Sequence, residues 1–419
     1  MILIVLSAAV LLPSFHLWGW NLALRFEVVA AAILLTCWAA TSVLRGRLRI
    51  VEEARWLAWF AGLLSLVLLS VLVAIAFLDY APSTRDVSEL LRIIAYGALF
   101  WLGVRFGKKR PRPSAVTGCL LGAGTVAVLI GILQYFNALG INSWLTPLYA
   151  TTQLRGVVVQ QRIIGTFSNP NEFGAFLVLP AAVSLATSVL SSRRHHRVFG
   201  WLLLALFGIG ITLTGSRTAL AALLIMIAAT FVFTLPRLLR GAKTLKVALL
   251  MLVVAALSTL SIAVIGPGPS VARLAQIGDL RQASSWQARL EDWVDDYRLW
   301  LASPVTGWGP GEADMETTVD NEWLLIMRRY GIFGLVWFVV GGVGVFAALR
   351  RLLGKSRAPR GKILIAALVG VLPAYAFYMF FAAVYHAPQL MPPLLLVLGA
   401  ALAASNPAGR EVVGDASCA

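Results

Sequence analysis

Stretches of roughly 15–23 residues with almost no charge recur along the chain, and a helix needs roughly 20 mostly apolar residues to cross a bilayer. The stretches fall at about 1–20, 28–44, 56–78, 90–104, 114–136, 172–190, 198–213, 217–235, 247–265, 331–349, 363–384 and 389–404. They predict an all-α, polytopic membrane bundle of about twelve helices. The first run is short and broken by Pro13, which leaves eleven spans as the alternative. Met1-Ile2-Leu3-Ile4-Val5 lacks the basic leader of a signal peptide and reads as the start of a retained span. With 59% hydrophobic and 13% charged residues among 419, a soluble globular domain and a disordered chain are both excluded.

The net charge of +16 suggests nucleic acid only until the charges are located. Roughly two-thirds of the 35 Lys and Arg residues lie in every second connection or in the C-terminal tail, among them Arg45, Arg105, Arg193, Arg240, Arg350 and Arg410. That alternation is the positive-inside pattern and places both termini in the cytoplasm, so no nucleic-acid surface is needed. His195 and His196 sit in one of the basic turns and read as solvated. Cys37, Cys119 and Cys418 form neither a disulfide framework nor a metal spacing. The chain thus divides into nine helices over 1–265, an extracytoplasmic loop over 266–330, three helices over 331–404, and a cytoplasmic tail over 405–419. The long loop holds about half of the 19 acidic residues. Connections of that length without structure of their own usually have a function.

Span interiors hold almost no ionisable residues, unlike a proton relay or an ion path. The informative residues gather at the extracytoplasmic face in four places. The first is Arg162-Ile163-Ile164-Gly165-Thr166-Phe167-Ser168-Asn169-Pro170-Asn171-Glu172, a turn in which Asn171 is able to cap a helix beginning at Glu172. The second is Thr214-Gly215-Ser216-Arg217, a link so short that Arg217 must lie near the membrane plane. Its guanidinium is a planar fork of donors suited to phosphate oxygens, or to plain interfacial anchoring. The third is a helix in which Trp286, Leu290, Trp293, Tyr297 and Trp300 recur on one face, with Arg289 beside it and Asp292 as its local ion-pair partner. Such a helix lies at headgroup depth or against the bundle. The fourth is the Gly/Pro turn Ser303–Gly311, followed by Asp320-Asn321-Glu322 before the next span. Asp320 reads either as the N-cap of that span or as a general base.

The ordered set resembles the Wzy/O-antigen ligase superfamily of bacterial envelope polysaccharide enzymes. The matching elements are the Gly-Thr-Phe-Ser-Asn-Pro-Asn turn, Gly215-Ser216-Arg217, Arg289 followed by Trp293, and Pro304-x-x-Gly307-x-Gly309. Asp320-Asn321 and Gly331-x-x-Gly334 complete it. The resemblance covers about 160–350. It implies a GT-C-like inner-membrane bundle with a large periplasmic loop, a periplasmic site and no cofactor or metal. The implied donor is an undecaprenyl-pyrophosphate-linked glycan held by Arg217 and Arg289. Arg162, Asn169, Asn171, Asn321 and Glu322 are the other expected substrate contacts. Membrane lipids, and a chain-length regulator where one is used, are the remaining partners.

Ligases of this superfamily carry His-Asn where this chain has Asp320-Asn321, so the resemblance points to an inverting polymerase with Asp320 as base. Glu322, Glu316, Asp314 and His386 compete for that role. The alternatives are an O-antigen ligase acting on lipid A-core or a protein acceptor and, from another class, a transporter or flippase of lipid-linked oligosaccharide. The one-sided loop, the uncharged span interiors and the absence of an internal repeat argue against a transporter.

Overall fold

A computed structural model describes residues 54–109, 113–145, 162–167, 169–238, 284–311, 320–356, 359–387 and 389–404. The expected runs at 1–20, 28–44 and 247–265 lie outside these residues, as do Glu316 and Asp314.

The described chain is helical. In order it forms α1 (Ala54–Phe77), α2 (Thr84–Lys109), α3 (Pro113–Tyr135), the short α4 (Ile141–Leu145), α5 (Pro170–Leu190), α6 (Arg194–Leu213) and α7 (Arg217–Leu238). These are followed by α8 (Ser284–Ala302), α9 (Glu322–Lys355), α10 (Pro359–Tyr378) and α11 (Met391–Ala404). Among the described residues, eight helices are long and apolar enough to cross a membrane: α1, α2, α3, α5, α6, α7, α9 and α10. The last expected run forms the shorter apolar helix α11.

Helix α5 is the centre of the bundle, with Phe173, Phe176, Leu177 and Val183 fully buried. It packs against α6, α7 and α10, while α2 packs along α11. Leu68, Leu69 and Leu72 of α1 and Val336, Val340 and Val343 of α9 point outward. An apolar outer surface of this kind is what a helix facing acyl chains presents.

Three spans begin or end elsewhere than the hydropathy implies, among them α9, which starts at Glu322 rather than near 331 and runs on to Lys355. Helix α2 starts at Thr84 rather than near 90, which brings Asp86 and Glu89 into its first turns ahead of Arg92. Helix α10 ends at Tyr378 rather than near 384 and leaves a turn that carries His386. The ends of these spans therefore carry buried carboxylates that the hydropathy leaves outside, Glu89 paired with Arg92 and Asp86 hydrogen-bonded to Ser83 N–H and Gly311 N–H.

Helix α9 is broken at Gly331, whose φ of 62° and ψ of −160° no helix contains. The break strands the carbonyls of Arg328 and Arg329, and the Gly/Pro turn supplies replacement donors. Trp308 N–H donates to Arg328 O (2.9 Å), Gly309 N–H to Arg329 O (3.0 Å), and Ile332 N–H turns to Pro304 O (2.9 Å). Ser70 Oγ of α1 also donates to Arg329 O (2.6 Å). A Cβ at Gly331 would fall 2.1 Å from Val305 O, and one at Gly307, where φ is +71°, would fall 2.4 Å from the Arg329 carbonyl carbon. Two pieces of the sequence pattern, Gly307-x-Gly309 and Gly331, are thus the two sides of one junction.

Candidate functional site

The four motifs meet at one end of the bundle. Gln134 of α3 organises the first of them: its Oε1 accepts from Gly165 N–H (2.8 Å) and Ile164 N–H (3.3 Å), and its Nε2 donates to Gly165 O (3.1 Å). The helix that follows is capped by Asn169, not Asn171, since Asn169 Oδ1 accepts from Glu172 N–H (2.8 Å) with Pro170 in the first turn. Asn171 is left with another task. Its Oδ1 accepts from Arg162 Nη2 (3.0 Å), and Arg162 Nε donates to Thr214 O (2.6 Å). Arg162 therefore ties the first motif to the second rather than reaching outward to the interface.

In the second motif Ser216 begins α7, its Oγ accepting from Ala219 N–H (3.3 Å), and Arg217 follows as the first helical residue. Tyr378, at the end of α10, links these pieces. Its hydroxyl donates to Asn171 O (2.7 Å) and lies close to Ser216 and within electrostatic reach of Arg162, Arg289 and Glu172. Tyr378 was not singled out by the sequence; an aromatic residue closing an apolar run is too common to stand out.

The third motif leaves part of its aromatic face open, as a helix at headgroup depth does, and docks through a polar residue. Leu290 and Tyr297 are exposed and Trp293 is half-buried, while Asp296 is buried and its Oδ1 accepts from Arg328 Nη1 at 2.8 Å. Trp308 Nε1 donates to Leu299 O (2.7 Å) and Trp300 Nε1 to Pro304 O (3.1 Å), fastening α8 to the Gly/Pro turn. Arg289 does not take Asp292 as its partner. Its Nε lies 3.2 Å from Asp320 Oδ2, an ion pair between α8 and the residue two before α9.

That pairing is open to Asp320 because Asn321 caps α9, its Oδ1 accepting from Trp323 N–H (3.0 Å) and Leu324 N–H (3.2 Å). The cap and the exposed carboxylate are thus neighbouring residues rather than one residue with two incompatible duties. Glu322, expected to face substrate, is fully buried. Its Oε2 accepts from Val384 N–H (2.7 Å) and Tyr385 N–H (3.0 Å), and its Oε1 faces His386 Nδ1.

The turn after α10 is the part of the site that sequence reasoning missed apart from His386. Besides Glu322, it receives Tyr96 Oη on Tyr385 O (2.9 Å), and Gln389 Nε2 donates to Thr166 O (2.8 Å). Burial and the neighbouring Glu89 carboxylate hold the Tyr385 phenol well above its ordinary range, so it stays protonated and donates to Glu89 Oε1 (3.0 Å). The available signal was Glu89 and Arg92 at the edge of an apolar run, where ionisable residues are costly. Among the described residues no group of three or more His, Cys, Asp or Glu side chains is placed to hold a metal ion.

A protein-family model, Wzy_C, described as O-antigen ligase, matches residues 202–339. The match takes in Arg217, Arg289, Asp320 and Asn321 and stops short of Arg162, Asn169 and Asn171. No curated protein matches the chain.

Proposed function

We propose that this chain, which belongs to the Wzy/O-antigen ligase superfamily by that match, is an inverting polysaccharide polymerase. It transfers an undecaprenyl-pyrophosphate-linked glycan to the end of an acceptor repeat unit at the periplasmic face of the inner membrane. The observation that carries the reading is the ion pair of Arg289 with Asp320 at 3.2 Å, beside the Arg162–Tyr378–Ser216 cluster that leads into Arg217.

In the reaction the acceptor hydroxyl attacks the anomeric carbon of the donor. The bond from that carbon to the diphosphate oxygen breaks, and undecaprenyl diphosphate leaves with the electron pair. Charge grows on the leaving oxygens, where Arg217 and Arg289 stabilise it as fixed donors in a partly dehydrated site. The hydroxyl proton passes to Asp320. Asp320 and Arg289 are partners before the donor arrives, so binding of the diphosphate exchanges one anion for another on Arg289 and frees the carboxylate to receive the proton. Arg162, Asn169 and Asn171 shape the neighbouring wall, and Asn321 holds the start of α9.

A ligase runs the same bond exchange with a different acceptor, so the acceptor is what separates the two. Purified protein supplied with lipid-linked repeat units alone is expected to give a ladder of lengthened glycans. Product that forms only when lipid A-core or a protein acceptor is added would assign the chain as a ligase. Unaltered donor carried across a vesicle membrane, with no new glycosidic bond, would assign it as a flippase.

A further inference from the structure

Beneath the proposed site lies a connected set of buried polar side chains that the transfer step does not use. Glu322 Oε1 faces His386 Nδ1, and Glu322 Oε2 accepts the backbone N–H groups of Val384, Tyr385 and, at 3.4 Å, His386. His386 Nε2 faces Arg329 Nη1, and Arg329 Nη1 lies 3.8 Å from Glu89 Oε2. Glu89 Oε1 accepts from Tyr330 Oη (2.9 Å) and Tyr385 Oη (3.0 Å), and its Oε2 takes Arg92.

A guanidinium has donors only, so the histidine nitrogen that meets Arg329 accepts, while Glu89 Oε2, at 3.6 Å from the same nitrogen, lies beyond hydrogen-bond reach. The ring proton then sits on Nδ1 and is donated to Glu322, a tautomer assigned from the partners on either side. The cluster sets two carboxylates, Glu89 and Glu322, among two guanidiniums, Arg92 and Arg329, and charge in a protein interior is tolerated when it is paired in this way.

We infer that Glu322 and His386 are positioning residues for Asp320, and that His386 is not itself a proton acceptor in the reaction. The inference rests on the reading of Asp320 as the base. Three consecutive residues have three separate duties: Asp320 faces Arg289, Asn321 caps α9, and Glu322 fastens the helix start to the last turn. Glu322 N–H also donates to Met379 O (2.8 Å), so both its backbone and its side chain are held by the same segment. Only two peptide units separate Glu322 from Asp320, and a displacement of about 1 Å at a reacting group costs on the order of 100-fold in rate. His386 has both nitrogens engaged. Nε2 meets Arg329 Nη1 and Nδ1 meets Glu322 Oε1, so neither nitrogen is open to an acceptor hydroxyl.

The test uses the full-length purified chain with an undecaprenyl-diphosphate-linked repeat unit, reading kcat and KM separately. Glu322→Gln is expected to lower kcat by about 10- to 100-fold while KM for the donor stays within about threefold. His386→Asn keeps an N–H near the Nδ1 position and is expected to retain several-fold more turnover than His386→Ala. On an Asp320→Asn background neither Glu322→Gln nor His386→Ala is expected to lower the residual rate further, because the group being positioned is already gone.

Losses that multiply with that of Asp320→Asn would overturn the positioning role, as would an unchanged kcat in Glu322→Gln. Equal inactivity of His386→Asn and His386→Ala would return the histidine to the list of proton acceptors. Should Glu322→Gln fail to fold, the two His386 variants carry the test. Full turnover in Asp320→Asn alone is a separate result, removing the base reading on which the inference rests.

Discussion

Arg289 Nε stands 3.2 Å from Asp320 Oδ2, joining α8 to the residue that precedes the cap of α9. The side chains are 23% and 52% exposed, so the pair is a weak one, worth at most about 1 kcal/mol. Weakness suits an exchangeable contact. A lipid diphosphate carries more charge than one carboxylate and offers oxygens that match the guanidinium fork.

Removing the carboxylate should therefore have opposite effects on binding and on turnover. Asp320→Asn is expected to bind undecaprenyl diphosphate about two- to fivefold more tightly, the range that a partly exposed ion pair corresponds to. The same variant should lose about 100- to 10,000-fold in transfer rate, as a missing general base does. Isothermal titration and a single-turnover assay measure the two. Unchanged or weaker binding would mean that Asp320 and the diphosphate do not compete for Arg289.

Tyr378→Phe removes a hydroxyl that donates to Asn171 O and lies close to Ser216, next to Arg217. The acceptor left behind on Asn171 costs about 1–3 kcal/mol. Transfer is expected to fall about tenfold with the thermal midpoint lowered by a few degrees, since two of the proposed substrate-facing segments lose their common tie. Wild-type transfer would show that the tie does not matter to the site.

The α9 break should resist any residue with a side chain. Gly331→Ala places a Cβ 2.1 Å from Val305 O at a φ of +62°, and the conformational strain alone costs about 1–3 kcal/mol. A thermal melt in detergent is expected to drop by several degrees. Gly342→Ala, where an added Cβ meets nothing within 4 Å, serves as the control and should leave the melt nearly unchanged. Equal melts for the two variants would deny the junction any structural weight.

Asp296 and Arg328 are both buried, with 2.8 Å between Oδ1 and Nη1. Losing one partner of such a pair costs about 3–5 kcal/mol, whereas replacing both with apolar residues is often neutral. Asp296→Leu and Arg328→Met are each expected to unfold far earlier than the parent. A melt within about a degree of the parent for either variant would deny the pair its weight in the fold.

Where the sequence was legible, the reason is physical. Apolar runs of spanning length and alternating basic loops follow from the bilayer itself, and the described helices coincide with nine of the runs. The four motifs were visible because turns, short links and stranded arginines interrupt an otherwise apolar text. The choice between Asp320 and Asn321 as cap was not visible, since both residue types cap well and they are adjacent. The docking face of α8 is left open by the sequence for a reason peculiar to membranes. Lipid and protein interior are both apolar, so an aromatic stripe does not say which of them it faces, and here the buried contact is Asp296 with Arg328. The Glu89–His386 cluster is hidden by distance along the chain, Glu89 and its partner Tyr385 being 296 positions apart.

The most direct measurement is the product ladder made from lipid-linked repeat units by the parent protein and by Arg217→Ala and Arg289→Ala, each purified in equal amount. Both variants are expected to lose at least about 100-fold of the polymerising activity, as removal of a fixed donor to a developing anion does. Arg289→Lys should recover only a part of it, because an ammonium lacks the fork. Glycans of normal length from both alanine variants would contradict the account, since the leaving diphosphate would then need neither arginine.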